Sequence, residues 1–569
     1  MNLKFGIMCG GSSFPLFAAI CIRKLMEIDG VKPALLIIQK DNHSAYPKTN
    51  EGPLRFIRNL KHRNTIIYKI IKKIDNRYHK PSAWDPVSLE KELGQLPVIM
   101  CDINQHGKFS QYFLEEDIQK IKQYNLDFII KFGFNIIRGE ILNLARYGIW
   151  SFHHDDEQKY RGGPVGAWEI YYDDPVNAVV LQRLTEKLDG GIILKKGYFK
   201  TVGYSLNLNY DNVLLGSAEW PATVCKDIML GNADYLSNTP VKTSAPIFKT
   251  PTNIKALLLA FKMSKNYISN LYDNKFTRDM YSIGVAKVGL DKLLKGELSN
   301  DIIWMKEIEN NFFYADPFAK KTGQDELTIL AEEYDCIKKK GRIVSIKFNA
   351  KKEFSYPSLS LELNTHISYP YLISLNHETF CIPENSMANR ISLFRAGSFP
   401  DDWCEVVTLI EGKKIVDPTI IFHEDFYWLF CTEDSRDLEL CIWFSKELKG
   451  PWSPHPKNPV KYDIRSARPA GNIFKYNNTL YRPSQNGSKE YGGGININKI
   501  NILTTKDFNE EPIVTLTPPN NCKYKRGIHH LGICDEYIVI DGKRRKLYFK
   551  KLLNFIDRII RHTPRNYRE

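Results

Sequence analysis

The sequence predicts a multidomain chain: an α/β domain, a helical connector and an all-β propeller. Three observations predict it. At 569 residues the chain exceeds what one core usually holds, so two or three domains are expected. Its first third alternates buried-type strand runs with glycine turns and amphipathic helices. From Phe312 the texture changes to short strands, aromatics and turns that recur about every fifty residues, the spacing of a four-stranded propeller blade. The expected divisions are 1–203 for the α/β domain, 204–300 for the connector, 301–542 for the propeller and 543–569 for a basic C-terminal helix.

Leu3 to Met8 reads as the first strand, Gly10 to Ser13 as its turn and Phe14 to Glu27 as an amphipathic helix. Such a strand, glycine turn and helix often cradles phosphate, which makes Gly10 and Gly11 candidates to border a ligand, although the turn is neither a G-x-G-x-x-G nor a P-loop. The start superficially resembles a signal peptide, but Ala34 to Ile38 returns as a second strand. Pro53 to Lys80 is strongly basic, with Arg55, Arg58, Lys61, Arg63, Lys69, Lys72, Lys73, Arg77 and Lys80 around an apolar stripe. It reads as a solvated face over a packed one, with an anionic membrane surface as the alternative. Pro97 to Cys101 and Leu126 to Ile130 resume the sheet around a helix from Glu115 to Tyr124, a short helix is expected over Glu140 to Arg146, and Ile192 to Phe199 closes the domain.

The run GIWSFHHDDEQKYRG, Gly148 to Gly162, follows these strands, and LDGGIIL with Asp189 comes after it. His153 lies just past a strand, where open α/β sheets place their sites. A histidine there takes a proton near neutral pH, and a later aspartate can fix its tautomer. A surface hydrogen bond between the two residues is the competing reading.

The spacing resembles the family of formyltransferases that use N10-formyltetrahydrofolate, whose signature is G-x-x-N-x-H-x-S-x-x-P-x-Y-R-G followed by L-D-x-G. Gly148, His153, Tyr160, Arg161 and Gly162 fall in register, and Leu188 to Gly191 supply the second motif. The resemblance spans roughly Met1 to Thr201. It implies a Rossmann-like domain in which His153 is the base or proton relay, Asp189 its partner, and Tyr160, Arg161 and Gly162 part of substrate binding. The family asparagine, which donates to the formyl oxygen, falls on Ser151, and Asp155 and Gln158 replace the following Ser and Pro. Loss of one such donor typically costs about 10²–10³ in rate. Either Ser151 substitutes, another donor has moved in, or the site is degenerate.

Residues 204 to 299 read as helical, notably Ala218 to Leu230 and Ile254 to Leu271, and carry no sharp motif. The repeated units then begin at Asp316, Tyr369, Asp417 and Arg468, with a weaker fifth at His529. Each is followed after a hairpin by a second polar residue: Glu332 or Glu333, Glu384, Glu433, Gln485 and Asp541. These residues are expected around one axis. From about Trp304 to Asp541 the chain resembles the five-bladed propeller of certain glycosidases and, more closely, the amino-terminal domain of plant glucosamine inositolphosphorylceramide transferases. That likeness implies Asp316, Asp417 and Glu433 as carboxylates for acid and base roles; turn capping and buried hydrogen bonding are the competing reading, and carbohydrate binding along the axis is favoured. In the tail, KRRK at Lys543 starts a helix with Leu552, Phe555, Ile556, Ile559 and Ile560 on one face, packed on the body or against an anionic membrane.

The balance of 79 basic against 65 acidic residues, net +14, suits phosphate-bearing or other anionic partners. No RNA-binding signature is present, and helices in place of a small β-barrel after the core argue against a tRNA acceptor. The 11 cysteines are scattered, odd in number and without C-x-x-C spacing, which fits reduced, mostly buried thiols better than a disulfide framework or zinc site, and no metal is expected. No apolar run is long enough to span a bilayer. The reading is therefore a cytoplasmic enzyme, at most peripheral to the inner membrane face. It transfers a formyl group from N10-formyltetrahydrofolate to a nucleotide-linked amino sugar, beside a glycan-binding or glycan-processing propeller. The alternatives are a glycosyl-transfer or glycosidase-like propeller with a degenerate first domain, and a non-catalytic glycan-binding protein.

Overall fold

A computed structural model of the chain describes residues 2–40, 64–107, 109–187, 190–299, 301–308, 311–433, 437–519 and 521–548. It separates into two units, Met1–Tyr267 and Ile268–Glu569.

The first unit is built on seven strands: β1 (Leu3–Cys9), β2 (Val31–Gln39), β3 (Val98–Cys101), β4 (Phe128–Lys131), β5 (Ile149–His153), β6 (Val176–Arg183) and β7 (Ile192–Lys200). They lie in the order β7-β6-β5-β4-β1-β2-β3. Strands β1 to β5 are parallel, and β6 and β7 are added antiparallel. The near-continuous apolar composition of β1 and β4 is that of parallel strands buried on both faces. The helix Leu16–Met26 buries Phe17, Ala18, Ala19, Cys21, Ile22 and Leu25. On one face of the sheet Phe128 stacks between Phe5 and Trp150, at centroid distances of 5.3 and 4.0 Å. Because side chains alternate along a strand, anchoring Trp150 turns Ile149, Ser151 and His153 to the opposite face.

Two expectations for this unit shift. The helix expected over Glu140 to Arg146 is a single 3₁₀ turn, Glu140–Asn143. Strand β6 is unmarked in the sequence reading, because its VNAVVLQR run is buried almost throughout and lacks an alternating pattern. Of the basic stretch, Ile66–Tyr78 is a helix, and Pro53 to Arg63 lie outside the described residues.

In the second unit five antiparallel sheets follow one another. Phe312–Gly323, Glu326–Asp335, Lys340–Phe348 and Ser358–Leu361 form one; Ser368–Leu375, Glu378–Glu384, Arg390–Ser398 and Asp401–Glu411 the next. Ile415–His423, Phe426–Glu433, Glu439–Ser445 and Ser453–Pro454 form the third, with Lys461–Tyr462 also paired to Glu439–Ser445, and Phe474–Tyr476, Thr479–Gln485, Ile495–Leu503 and Phe508–Leu516 the fourth. The fifth joins both ends of the unit, with Thr277–Lys287 and Ile303–Trp304 beside Leu531–Cys534 and Tyr537–Leu547.

That closure corrects the helical reading of 204–300. Leu206–Ser217, Trp220–Leu230 and Asn253–Phe276 are helices, but Thr277–Lys287 is a strand paired along its length with Tyr537–Leu547. Its partner lies some 260 residues downstream, and strand formation depends on such a neighbour more than on local preference. For the same reason Lys543 to Leu547 extend a strand where a helix was expected; the tail beyond residue 548 lies outside the described residues.

Candidate functional site

In the first unit Ser151 and His153, two residues apart on β5, share a cavity of about 130 Å³ at the C-terminal ends of the parallel strands. Lys131 at the end of β4, Asn135, Arg138, Gln182, Thr185, Lys187 and Gly191 also line it. Burial pushes the Lys131 ammonium down to about 8. Asn135 follows Phe134, whose φ of 63° turns the chain back over the strand ends, and its N–H is held by Gln111 Oε1 at 2.7 Å. Gln182 faces Ser151 across the β5–β6 pair, and its Oε1 accepts the N–H of Gly191 at 3.2 Å. A Cβ at Gly191 would stand 2.5 Å from that oxygen, so only glycine fits there. A wider pocket of about 680 Å³ adjoins, sharing Thr185 and Lys187 and adding Glu186 and Thr239 to Lys242.

Asp189 lies outside the described residues. Tyr160, Arg161 and Gly162 do not line the cavity. Arg161–Gly162 instead pairs in parallel with Ile247–Phe248, and a Cβ at Gly162, where φ is +97°, would meet the Phe248 carbonyl at 2.3 Å. Tyr160 donates to Asp174 at 3.2 Å. The Y-R-G motif thus ties its loop to Ile247–Phe248 and Asp174. Gly10 and Gly11 are likewise absent from the lining. Asp155, where the family has serine, accepts the Gly166 N–H at 3.3 Å beside Glu169, whose carboxyl is raised well above its usual range by burial and then by Asp155.

In the second unit the repeat starts converge. In three successive sheets the first strand breaks register at an X-Pro step, and the residue before proline has a left-handed backbone: Asp316 (φ 51°), Tyr369 (φ 45°) and Asp417 (φ 51°). Such bulges re-aim a side chain, and non-glycine residues adopt this conformation at local cost. Asp417, 1% exposed, accepts from Arg468 Nε at 2.5 Å and Gln485 Nε2 at 2.8 Å, and its N–H donates to Glu384 at 3.1 Å. Arg468 Nη1 also donates to Asp437 at 2.6 Å. Tyr369 Oη meets Thr419 at 2.8 Å and accepts the Gly471 N–H at 2.7 Å. His529 Nδ1 lies 2.5 Å from Asp541, which also takes the N–H groups of Asp316, His529 and His530.

Burial is the largest influence on Asp316, Asp417, His529 and Asp541. It raises Asp316 to about 7 against the opposing charge of His529, and Asp417 to about 7 against that of Arg468. It acts to lower His529, but the Asp541 carboxylate outweighs it and the imidazole ends above its usual value, with Asp541 below its own. Ligand atoms of Asp316, His529 and Asp541 all lie within 4.8 Å of one another, so these three could hold a cation.

Glu433 does not join them. Glu332, Glu384 and Thr432 pair with Ala315, Ser368 and Val416, the residues just before Asp316, Tyr369 and Asp417, so Glu433, which pairs with Ile415, sits one step out of phase. Its carboxylate accepts from Lys413 at 2.7 Å and Trp443 Nε1 at 3.0 Å. A one-residue step on a strand reverses the face, and the sequence reading mistook the charged neighbour for the axial one. His530, Tyr491 and Asp437 at the axis were also missed. His530 is fully buried, edge-on to Phe318 at 4.4 Å, and held to about 3 chiefly by burial. All 11 cysteines are free thiols. Among the described residues no helix is long and apolar enough to cross a membrane.

A parallel sheet with a histidine at a strand end defines the first unit as formyltransferase-like, and the repeated sheets define the second as propeller-like. Comparison with known proteins makes this specific. Residues 301–530 match the family model for "Glucosamine inositolphosphorylceramide transferase 1, N-terminal". The chain is 33% identical over 207 residues to glucosamine inositolphosphorylceramide transferase 1 of Arabidopsis thaliana, a match covering 35% of this chain and 27% of that protein. Its N-terminal part is similar to methionyl-tRNA formyltransferase of Prochlorococcus marinus, 38% identical over 82 residues, 14% of this chain and 24% of the relative. The chain thus spans about a quarter of the length of these relatives. Among solved structures, a family 117 glycoside hydrolase from Zobellia galactanivorans aligns with 43% of this chain and 78% of its own, at 11% identity and a TM-score of 0.31.

Proposed function

We propose that the first unit transfers a formyl group from N10-formyltetrahydrofolate to the amine of an amino sugar, one linked to a nucleotide, in surface glycan assembly. The observation that carries this is the placement of Ser151 and His153 together in one cavity at the strand ends. The folate supplies an electrophilic formyl carbon. The amine nitrogen bonds to the formyl carbon as the bond from that carbon to N10 breaks, and His153, with Asp189 as its partner, takes the proton from the amine and returns it to N10 of the departing tetrahydrofolate. The Ser151 hydroxyl donates to the formyl oxygen as it gains charge, and the Asn135 amide on the same cavity wall is a second donor of the type the family uses at position 151. Lys131, Arg138 and Lys187 give the cavity a cationic lining suited to an anionic folate or nucleotide. The adjoining larger pocket at Thr239 to Lys242 leaves room for the acceptor.

In this reading the five sheets are the blades of a five-bladed propeller whose axis, bordered by Asp316, Tyr369, Asp417, Arg468 and His529, binds a glycan. Arg468 is already engaged by two carboxylates, so its part is to hold Asp417 and Asp437 in place. The protein acts in the cytoplasm. The test is turnover with N10-formyltetrahydrofolate and a panel of nucleotide-linked amino sugars, paired with Ser151→Ala and Asn135→Ala. If both donors work, each variant loses about 10-fold or more in kcat. Unchanged rates in both would remove this assignment of the oxyanion donors.

A further inference from the structure

The helix Asn253–Phe276 is apolar on two opposite sides within the first unit. Ala256, Leu259 and Met263 are buried against Tyr68, Ile71 and Leu206. On the other side Ile254, Leu257, Leu258 and Phe261 are 83, 58, 42 and 65% exposed. A surface helix normally presents one apolar stripe, to the core, and a second contiguous stripe facing outward marks a contact surface.

The helix Ile66–Tyr78 runs alongside in the same direction. Its Ile67 N–H donates to Asn253 Oδ1 at 3.1 Å at one end, and the ring of His79 meets that of Tyr267 at 6.2 Å at the other. It adds exposed Ile70, Ile74 and Tyr78. Lys72, Lys73 and Arg77 on this helix, and Lys255 and Lys265 on its neighbour, are exposed. Across residues 66–78 and 253–267 the sequence holds one acid, Asp75. That carboxylate is buried and turned inward, 3.0 Å from His79 Nδ1 and accepting the Asn207 N–H at 2.8 Å. Over these residues the outer surface of the pair is therefore apolar and cationic, with no acid on it.

We propose that this two-helix face docks peripherally on an anionic membrane, with Leu257, Leu258 and Phe261 at the level of the acyl boundary and the lysines on lipid phosphates. A second copy of the chain is the poorer occupant, because its own lysines would meet these with like charge.

The experiment is co-sedimentation of the full chain with phosphatidylcholine vesicles, with and without phosphatidylserine. Binding is expected to the anionic vesicles, weakly or not at all to neutral ones, and to fall with salt. Leu257→Ser with Phe261→Ser should reduce it at least ~10-fold, and Lys72→Gln about 5-fold. Both side chains of the double variant are exposed, so its melting temperature should match the wild type. The proposal is overturned if anionic vesicles fail to bind the wild type, or if the double variant binds as well. A dimer in light scattering that the double variant dissolves, with no vesicle binding, would assign the face to a second copy instead.

Discussion

Removing the Arg468 guanidinium should destabilise the second unit by an amount that grows with pH. The Arg468 side chain is 15% exposed and touches two carboxylates, Asp417 at 2.5 Å and Asp437 at 2.6 Å, while the Asp417 side chain is 2% exposed. Arg468→Met keeps the apolar stem and leaves Asp417 with Gln485 as a neutral partner and Glu384 as a nearby like charge. Breaking a buried pair in this way costs about 3–5 kcal/mol. In a unit of this size that corresponds to a fall of roughly 6–15 °C in melting temperature. With the arginine present burial already lifts Asp417 to about 7, and the guanidinium is the main influence opposing that rise. Without it the carboxyl rises further, and each added unit of pKa is worth about 1.4 kcal/mol. The folded variant then keeps a proton that the unfolded chain releases, so its stability deficit should be small at pH 5 and large at pH 8. Differential scanning calorimetry of the full chain at the two pH values measures this directly. An equal loss at both would show that Arg468 contributes packing and not charge compensation, and the axial account would fail.

Three further outcomes are expected. In the wild type Asp316 and Asp417 both sit near 7, so between about 4 and 7 the folded state holds protons the unfolded state has lost, and the melting temperature should decline as pH rises through that window; Asp316→Asn should flatten the decline, and a rising profile would contradict the assignment. Gly162→Ala places a Cβ 2.3 Å from the Phe248 carbonyl at a φ of +97°, and should lower stability by roughly 2 kcal/mol as read by urea denaturation, with a loss below ~0.5 kcal/mol refuting a loop-closing role. Ser151→Asn restores the donor type of the related family and should leave turnover equal or higher; a drop of more than ~10-fold would mean the longer amide cannot be housed in the cavity.

The sequence made the strand-end histidine and the repeat starts legible for different reasons. His153 was findable because strand, turn and histidine are consecutive in the chain. Asp316, Tyr369 and Asp417 were findable because each precedes a proline in a repeated frame, and the same X-Pro step produces the bulge that aims them inward. What stayed hidden depends on distant chain. Thr277–Lys287 becomes a strand because Tyr537–Leu547 lies beside it, and Asn135 reaches the cavity through a turn at Phe134. Glu433 was misplaced because a charge is conspicuous in a sequence while strand phase is not, and its neighbour Thr432 holds the position that Glu332 and Glu384 take in the two preceding sheets. Tyr160, Arg161 and Gly162 matched a motif correctly, but their contacts hold a loop and leave the cavity to others.

The central claim is formyl transfer at His153, and it is tested most directly by following tetrahydrofolate release spectroscopically with the full chain, N10-formyltetrahydrofolate and each amino-sugar acceptor. The account predicts turnover with at least one acceptor that His153→Ala abolishes while its melting temperature stays within about 2 °C of the wild type, since this partly buried side chain lines a cavity instead of filling the core. Turnover in His153→Ala equal to that of the wild type, or an intact chain that neither binds the folate nor transfers its formyl group to any acceptor, would contradict it.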